Sequence, residues 1–375
     1  MPAHLQRHTA IYTSSQRAAC LVFLAVTLTA LIACSTGQPA AAKLHATISW
    51  PLASTKSRVV WVKSINAPAD ISIGSGFWKR LQEVVIGSET SNFERPHGVL
   101  RSSAGVIYLT DPGKKVVHCL DITGSAYSVI GDREDSPLRS PIGLTEDMSG
   151  RIYITDSMTG TVYRFNPADG SLKPLLQQGL ERPTGIAFSP VNKKLYVADT
   201  MASQIVVLDQ NGVIVKRIGN RGEGNTGFNR PTDLAIDARG QIYVTDSLNF
   251  RITVLTPEGQ FLHQFGSPGD SGGSFSRPKG IAVDSAGNIY VNDSLMDAVQ
   301  VFNNDGVLQL LFGKKGTDFG QFWMPSGLFI DRFDQIYVAD TYNRRIQIFR
   351  YLEQSEDVNE SIDTDLFDKP ITPAR

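Results

Sequence analysis

The sequence predicts an all-β fold made of six similar sheets arranged around one axis. Three observations support it: a Pro-led segment recurs six times, each copy has a Tyr-containing apolar strand that ends in Asp, and polar turns separate the strands. The prolines recur every 42 to 48 residues, at Pro96, Pro141, Pro183, Pro231, Pro278 and Pro325. A period of this length, filled with strand signals, is typical of a radial array of blades. We therefore predict a six-bladed β-propeller of four-stranded antiparallel blades.

The fifth copy shows how one blade divides into strands. Residues 280–284, 289–293, 298–302 and 307–313 are short apolar runs separated by polar turns. Such spacing favours antiparallel strands throughout. The turn at 303–306, Asn-Asn-Asp-Gly, suits a hairpin because Asn and Gly tolerate positive φ. Pro at the head of each first strand fits as well, since Pro cannot donate to a ladder.

The last copy lacks a fourth strand, so closing the ring requires a strand from elsewhere. After residues 345–349 the chain becomes acidic instead of forming another apolar run. The β-branched and aromatic segment 58–65 is our first candidate, which predicts a ring closed by an N-terminal strand. Residues 84–87, which resemble the ends of other fourth strands, are the alternative. Residues 77–86 have apolar residues at helical spacing and predict a short helix.

The first 33 residues predict a signal peptide. Arg7 and Arg17 precede an apolar run, 18–31, that is too short for a comfortable membrane span. The run ends in Leu-Ile-Ala-Cys, which resembles the lipobox of bacterial lipoproteins and implies lipidation of Cys34. Because Ser35 follows the cysteine, the resemblance implies an anchor in the bacterial outer membrane. An ordinary secretory signal with an incidental cysteine is the alternative.

The remaining chain divides by composition. Residues 34–49 predict a lipidated cysteine with a flexible tether, 50–94 the closing strand and short helix, and 95–352 the blades. Residues 353–375 hold seven acidic and two basic side chains and predict a disordered tail. The whole chain carries a formal charge of −1, so the blades are close to neutral and no nucleic-acid partner is expected. With Cys20 in the signal and Cys34 lipidated, Cys119 is left without a disulfide partner.

The repeated pattern resembles a known family. Arg-Pro-x-Gly-Ile/Leu, a Gly-containing turn and Ile-Tyr-Val-x-Asp-Ser/Thr together resemble the NHL repeat, and residues 338–346, Val-Ala-Asp-Thr-Tyr-Asn-Arg-Arg-Ile, extend the likeness. The resemblance covers about residues 58–350 and implies a six-bladed propeller. NHL propellers include protein-binding and RNA-binding modules, sensor domains and peptide-amidating lyases, so the fold does not choose a function.

A ligand site is expected where the first strands begin. The residue after each proline should surround the channel mouth: His97, Ile142, Thr184, Thr232, Lys279 and Ser326. Asp233 replaces the usual Gly of its copy and adds a carboxylate. A concave polar mouth on the axis is the default binding site of such a fold.

We predict a structural role for the six strand-ending aspartates, because they recur in every copy. We expect each to anchor its own turn by accepting hydrogen bonds from backbone amides two residues on. They are Asp111, Asp156, Asp199, Asp246, Asp293 and Asp340. The arginines before the prolines (Arg95, Arg182, Arg230 and Arg277) are expected to pair with these aspartates or with neighbouring carbonyls.

No catalytic residues, metal or cofactor are predicted. The amidating lyases of this fold use several histidines around zinc, whereas only His97 lies at a mouth position here. Lactonase-type propellers hold calcium with acidic and amide side chains, and Asp233 alone does not supply such a set. Neither a Gly-x-Ser-x-Gly elbow nor a phosphate loop occurs.

These observations favour a lipid-anchored envelope module that binds a protein, peptide or glycan partner. The first alternative is a metal-dependent enzyme of lactonase or lyase type with its site at the channel mouth. The second is a structural subunit of an envelope export or surface-assembly system.

Overall fold

The computed structural model describes residues 48–51, 58–71 and 92–352 of the 375-residue chain. All of them fall in one compact unit, 47–375. No helix in this part of the chain is long and apolar enough to cross a membrane. The predicted signal peptide, Cys34, nearly all of the tether, the helix 77–86, the alternative strand 84–87 and the acidic tail lie outside the described residues and stay predictions.

The described residues form an all-β six-bladed propeller, as predicted. In each of the first five blades four antiparallel strands follow one another in chain order, with the first strand at one edge and the fourth at the other. Before the first blade lie β1 (Ser49–Trp50), β2 (Val59–Ile65) and a 3-10 turn over Pro68–Ile71. Blade 1 comprises β3 (Val99–Arg101), β4 (Val106–Asp111), β5 (Val116–Asp121) and β6 (Ala126–Ile130).

The next two blades have the same four-strand arrangement. Blade 2 comprises β7 (Pro141–Glu146), β8 (Ile152–Asp156), β9 (Thr161–Asn166) and β10 (Ser171–Leu176). Blade 3 comprises β11 (Pro183–Ser189), β12 (Lys194–Asp199), β13 (Gln204–Leu208) and β14 (Ile214–Ile218). Two short parallel strands follow, β15 (Asn220–Arg221) and β16 (Gly227–Phe228).

The last three blades complete the ring. Blade 4 comprises β17 (Pro231–Ile236), β18 (Ile242–Asp246), a 3-10 turn over Ser247–Asn249, β19 (Arg251–Leu255) and β20 (Phe261–Phe265). Blade 5 comprises β21 (Pro278–Val283), β22 (Ile289–Asp293), β23 (Ala298–Phe302) and β24 (Leu308–Phe312). Blade 6 supplies only β25 (Leu328–Ile330), β26 (Gln335–Asp340) and β27 (Arg345–Tyr351) from its own copy of the repeat.

The strand from the N-terminal side supplies the missing edge of blade 6. β2 pairs antiparallel with β27, from Val59 opposite Tyr351 to Ile65 opposite Ile346, and β1 pairs with β2. The indole N–H of Trp61 donates to the Gln347 side chain at 3.1 Å. The first of our two candidate segments, 58–65, therefore closes the ring.

The core lies between blades, which explains the sequence of the second strands. These strands are sandwiched by neighbouring sheets, so most are buried along their whole length, whereas fourth strands such as β20 alternate between exposed and half-buried residues. The tyrosine of each second strand is buried. In blades 2 to 6 its hydroxyl has a hydrogen-bond partner, as when Tyr153 donates to Asp147 at 2.8 Å and Tyr290 to Asp284 at 3.1 Å, because an unpaired buried hydroxyl would destabilise the fold.

Candidate functional site

The six first strands enclose a cavity of about 290 Å³ on the propeller axis. Every blade contributes its first strand, and all six residues that follow the prolines lie on the lining: His97, Ile142, Thr184, Thr232, Lys279 and Ser326. Asp233 also lies on the lining. The structure thus brings the predicted mouth residues together at one cavity.

A closed set of hydrogen bonds holds these six residues in place. The backbone carbonyl of each one accepts a hydrogen bond from a side chain of the preceding blade. Thr110 donates to Ile142 at 2.9 Å, Thr155 to Thr184, Thr184 to Thr232 at 2.8 Å, Thr232 to Lys279 at 3.3 Å, Asn292 to Ser326 at 2.6 Å, and Ser326 to His97 at 3.2 Å. We call this set the carbonyl ring. It ties each blade to the next around the axis.

The carbonyl ring changes the role of three predicted ligand contacts. Thr184, Thr232 and Ser326 use the single proton of their hydroxyls, or share it with a neighbouring hydroxyl, inside the ring. Thr184 lies 2.7 Å from the Thr200 hydroxyl and Ser326 lies 2.6 Å from that of Thr341. These side chains can still accept a hydrogen bond, but their donors are committed to the fold.

The strand-ending aspartates lie away from the axial cavity and fasten local structure. Each carboxylate accepts from a backbone N–H just before the proline of its own blade, as Asp111 does from Glu94 at 2.7 Å and Asp293 from Ser276 at 2.7 Å. The other four aspartates accept similar hydrogen bonds from backbone N–H groups. These bonds connect the start of each blade to the end of its second strand. Asp111, Asp156 and Asp293 also accept from an N–H two residues on, closing their turns.

Two of these aspartates pair with arginines other than those expected. Arg251 contacts Asp246 at 3.0 Å and Arg345 contacts Asp340 at 2.8 Å, both from the start of a third strand. The four arginines that precede prolines form no ion pair with another described residue. Three of them, Arg95, Arg182 and Arg277, contribute their backbone N–H groups to the aspartates instead.

Asp233 stands where the other five blades have Gly. Those glycines allow neighbouring first strands to touch: a Cβ at Gly280 would lie 2.5 Å from the Ser326 carbonyl oxygen, closer than real Cβ contacts. A side chain at this position therefore requires the neighbouring first strand to lie farther away or to present a glycine opposite it. Asp233 lies against Gly185 of the preceding blade, where a Cβ would lie 2.5 Å from the Asp233 Cα. Its Oδ1 accepts from the Leu234 N–H at 2.9 Å.

Asp233 also breaks the hydrogen bonding behind it. In blades 1 and 2 the threonine before the strand-ending Asp accepts from the Gly N–H and donates to the carbonyl ring, as Thr155 does between Gly143 and Thr184. Thr245 holds that position in blade 4, and its buried hydroxyl has no hydrogen-bond partner among the described residues. An unsatisfied buried hydroxyl costs about 1–3 kcal/mol. The chain therefore keeps Asp233 at a cost in stability.

The electrostatics of Asp233 are unusual for a carboxylate. Burial raises its pKa to about 7, although the backbone N–H groups of Leu234 and Ile281 act in the opposite direction. The side chain thus exchanges a proton near neutral pH. Proton exchange in that range is what general acid–base catalysis requires.

Lys279 and His97 complete the polar end of the cavity. Burial, and then the charge of Arg277, lowers the pKa of Lys279, and its ammonium forms no ion pair or hydrogen bond with another described residue. Burial and the charge of Lys279 lower the pKa of His97 to about 3, so its imidazole is neutral at physiological pH. The Nδ1 atom of His97 is buried and has no hydrogen-bond partner in the part of the chain that the structure describes.

The rest of the cavity is apolar. Its wall is made of Ile142, Leu144, Ile186, Phe188, Leu234, Ile236, Ile281, Val283, Leu328, Phe329 and Ile330. Thr145 adds one hydroxyl to this wall, and its oxygen accepts from the Phe188 N–H at 3.1 Å. The cavity therefore combines one charged end with an apolar body.

The described residues at this cavity do not supply a metal-ligand set. Asp233 is the one carboxylate among them, beside His97, Lys279 and the hydroxyls at the polar end. Nowhere within 48–51, 58–71 and 92–352 do three or more His, Cys, Asp or Glu side chains assemble to hold a metal ion.

Sequence reasoning missed Thr110, Thr155 and Asn292, which hold half of the carbonyl ring. The available signal was a polar residue just before the strand-ending Asp, in a strand whose other positions are apolar. Thr245 has the same position in its strand and was also missed.

Comparison with known proteins gives two family matches. Residues 89–271 match the model for the SMP-30/gluconolactonase/LRE-like region, and residues 322–349 match the NHL repeat. The NHL resemblance is therefore supported for the last copy, while most of the earlier blades match the other family. The repeat motifs quoted above do not indicate that second likeness.

One curated relative is a gluconolactonase of Zymomonas mobilis, 28% identical over 163 residues that cover 37% of this chain and 45% of that protein. The chain spans less than half the length of the curated relatives it matches. Among solved structures, a Xanthomonas campestris gluconolactonase has a TM-score of 0.56 at 14% identity, covering 78% of this chain and 98% of that one. A Staphylococcus aureus virginiamycin B lyase has 0.55 at 14% identity, covering 78% and 99%. At such identities the structural likeness shows the fold alone.

Proposed function

We propose that this propeller binds a small organic molecule in its axial cavity, through a carboxylate or carbonyl group that contacts Lys279. A cationic group without an anionic partner, placed in a partly apolar cavity, favours a ligand that brings the missing negative charge or dipole. The neutral imidazole of His97 offers a further polar contact at the same end.

The observation that carries this proposal is the position of Asp233. It interrupts the column of glycines, leaves the Thr245 hydroxyl unpaired and holds a carboxyl group whose pKa lies near 7. Local rules of a fold are broken at functional sites more often than elsewhere. A repeat that needs only to pack would place Gly here, as the other five blades do.

Hydrolysis of a cyclic ester is the chemistry that best fits this cavity. The raised pKa of Asp233 favours it, and so does the match of residues 89–271 to the gluconolactonase-containing family. The calcium of lactonase-type propellers does not fit the donor set described above, so the reaction proposed for this chain uses side chains alone.

In this reaction the ionised Asp233 accepts a proton from water as the water oxygen bonds to the ester carbonyl carbon. The Lys279 ammonium stabilises the negative charge that develops on the carbonyl oxygen. The ring C–O bond then breaks, and Asp233 returns its proton to the departing ring oxygen. One water is consumed, and the product is a hydroxy acid whose carboxylate can stay at Lys279.

Calorimetric titration tests the binding proposal. Octanoate and γ-octanolactone serve as probes of the two ligand groups. We expect Lys279→Gln to weaken octanoate binding at least tenfold, whereas Lys173→Gln, on the outer strand β10, should leave it unchanged. Equal binding by the Lys279→Gln variant would contradict the proposal.

A pH-stat assay with γ-octanolactone tests the reaction. The rate should rise with pH through about 7, as Asp233 ionises, and should be lost in Asp233→Asn. If the wild-type protein binds the lactone but releases no acid above the spontaneous rate, the protein is a binding protein and the hydrolysis proposal fails.

A second candidate function is the docking of a partner, favoured by exposed apolar side chains on one face. Met158, Leu248, Leu295 and Tyr342 each lie two residues after a strand-ending Asp, so the repeat presents them on the same face, and each is at least 45% exposed. Groups of exposed apolar residues are typical of interaction sites. Such a partner, an envelope protein, peptide or glycan as the N-terminal residues predict, would be recovered by crosslinking in whole cells. A double change, Leu295→Glu with Tyr342→Glu, should abolish the crosslink; an unchanged crosslink would exclude this face.

A further inference from the structure

We infer that the ligand of the axial cavity is amphipathic: one carboxylate or ester group on an apolar body of about eight carbons, not a polyhydroxylated sugar acid. This inference rests on the proposed function and names its ligand class. Three features of the described residues carry it.

The first feature is the supply of hydrogen-bond donors at the mouth. A sugar acid brings several hydroxyls, each of which loses water on binding and needs a replacement partner. The mouth hydroxyls of Thr184, Thr232 and Ser326 already donate within the carbonyl ring. The buried amide of Asn292 also takes part in the fold, since its Oδ1 accepts from Gly280 at 2.8 Å and one Nδ2–H donates to the Ser326 carbonyl.

The second feature is the placement of charge. Asp233 and Lys279 lie near the beginnings of β17 and β21, and His97 lies just before β3, all beside the prolines, so the ionisable groups share one end of the cavity. This end matches a single polar group. The carbonyl oxygens of His97 and Lys279 accept hydrogen bonds from the preceding blades and offer little further polarity.

The third feature is the apolar wall, which continues from Leu144 to Phe188, Val283, Phe329 and Ile330 at the far ends of the first strands. The cavity of about 290 Å³ lies at the small end of ligand pockets and suits a molecule of the size of octanoate. An apolar body would release water from this wall on binding, whereas a polyol would bury its hydroxyls against aliphatic carbon.

Calorimetric titration of the full chain with octanoate and with gluconate tests the inference. The two probes share a carboxylate and are similar in size, so their difference reports on the body of the ligand. We expect octanoate to bind at least tenfold more tightly than gluconate. Val283→Thr, which adds a hydroxyl to the wall at nearly constant volume, should weaken octanoate at least threefold. Val213→Thr, at an exposed position, is the matched control.

Each outcome has a distinct meaning. Tighter binding of gluconate overturns the ligand class but leaves the proposed function standing if Lys279→Gln still weakens binding. Octanoate binding that neither Val283→Thr nor Lys279→Gln changes would place the probe outside the cavity and overturn the inference. If neither probe binds, the ligand class and the proposed function fail together.

Discussion

The hydroxyl of Thr155 donates to the backbone carbonyl of Thr184 across the junction of blades 2 and 3. The same oxygen accepts from the Gly143 N–H at 2.8 Å, so one side chain joins its own first strand to the next blade. Thr245 occupies the equivalent position of blade 4, and no described residue forms a hydrogen bond with its hydroxyl. The two threonines differ because Asp233 takes the position of the glycine whose N–H donates to Thr155 in blade 2.

Replacing each of these threonines with Val should have opposite effects on stability. Thr155→Val leaves the Gly143 N–H and the Thr184 carbonyl unpaired, and we expect it to lower the free energy of unfolding by about 1–3 kcal/mol. Thr245→Val removes a hydroxyl that has no partner, and we expect a change between zero and a gain of about 1 kcal/mol. Urea unfolding of both variants measures the difference. Equal losses would show that Thr245 is paired in solution.

The ionisation of Asp233 should make stability depend on pH. Its folded-state pKa of about 7 lies above its ordinary value of 3.8, so the folded protein binds this proton more tightly than the unfolded chain. The resulting stability is present below about pH 4 and is lost as pH rises through about 7. The slope cannot exceed about 1.4 kcal/mol per pH unit for one group.

Comparing wild type with Asp233→Asn isolates this effect, because other groups contribute equally to both. We expect the wild type to lose stability relative to the variant between pH 4 and pH 7, and to run parallel with it above pH 8. Parallel curves over the whole range would mean that Asp233 keeps an ordinary pKa.

The N-terminal strand should be required for folding. β2 buries Val59, Val60 and Ile65, and each buried apolar side chain stabilises by about 1.5–3 kcal/mol. A chain beginning at Ile71 lacks this strand and exposes the edge of β27, so we expect it to aggregate or to melt well below the full chain. A chain beginning at Ile48 keeps β1 and β2 and should melt normally. Equal melting temperatures for the two chains would contradict closure by β2.

Lys279 should be unusually reactive toward acylating reagents. Its lowered pKa leaves more free amine at pH 8 than an ordinary lysine has. Trace labelling with acetic anhydride, followed by mass spectrometry, measures the acetylation rate of each lysine. Relative to its side-chain exposure, Lys279 should be acetylated faster than Lys173. Octanoate should protect Lys279 alone. Slow labelling that octanoate does not change would argue against an accessible amine in the cavity.

The sequence predicted the architecture because the fold is a repeat. Each blade reproduces the same strand order, so a period of 42 to 48 residues, and a last copy that lacks one strand, indicate both the ring and its closure. The position of the mouth residues around one cavity was predictable from strand direction alone. No side-chain contact had to be known for this prediction.

The use of the mouth hydroxyls could not be predicted in this way. Whether Thr184 is free or donates to Thr232 depends on the distance between two blades that lie 48 residues apart in sequence, and Ser326 donates to His97 across 229 residues. Such distances are set by packing around the whole ring. The same holds for the pKa of Asp233, which depends on burial between blades.

The most direct test of the central claim is an anomalous difference map from crystals soaked with 8-bromooctanoate. We expect the bromine peak inside the axial cavity, near Phe188, Val283 and Ile330, with the carboxylate density at Lys279. A bromine peak confined to the outer surface, from a probe that binds the protein in solution, would show that the axial cavity is not the ligand site.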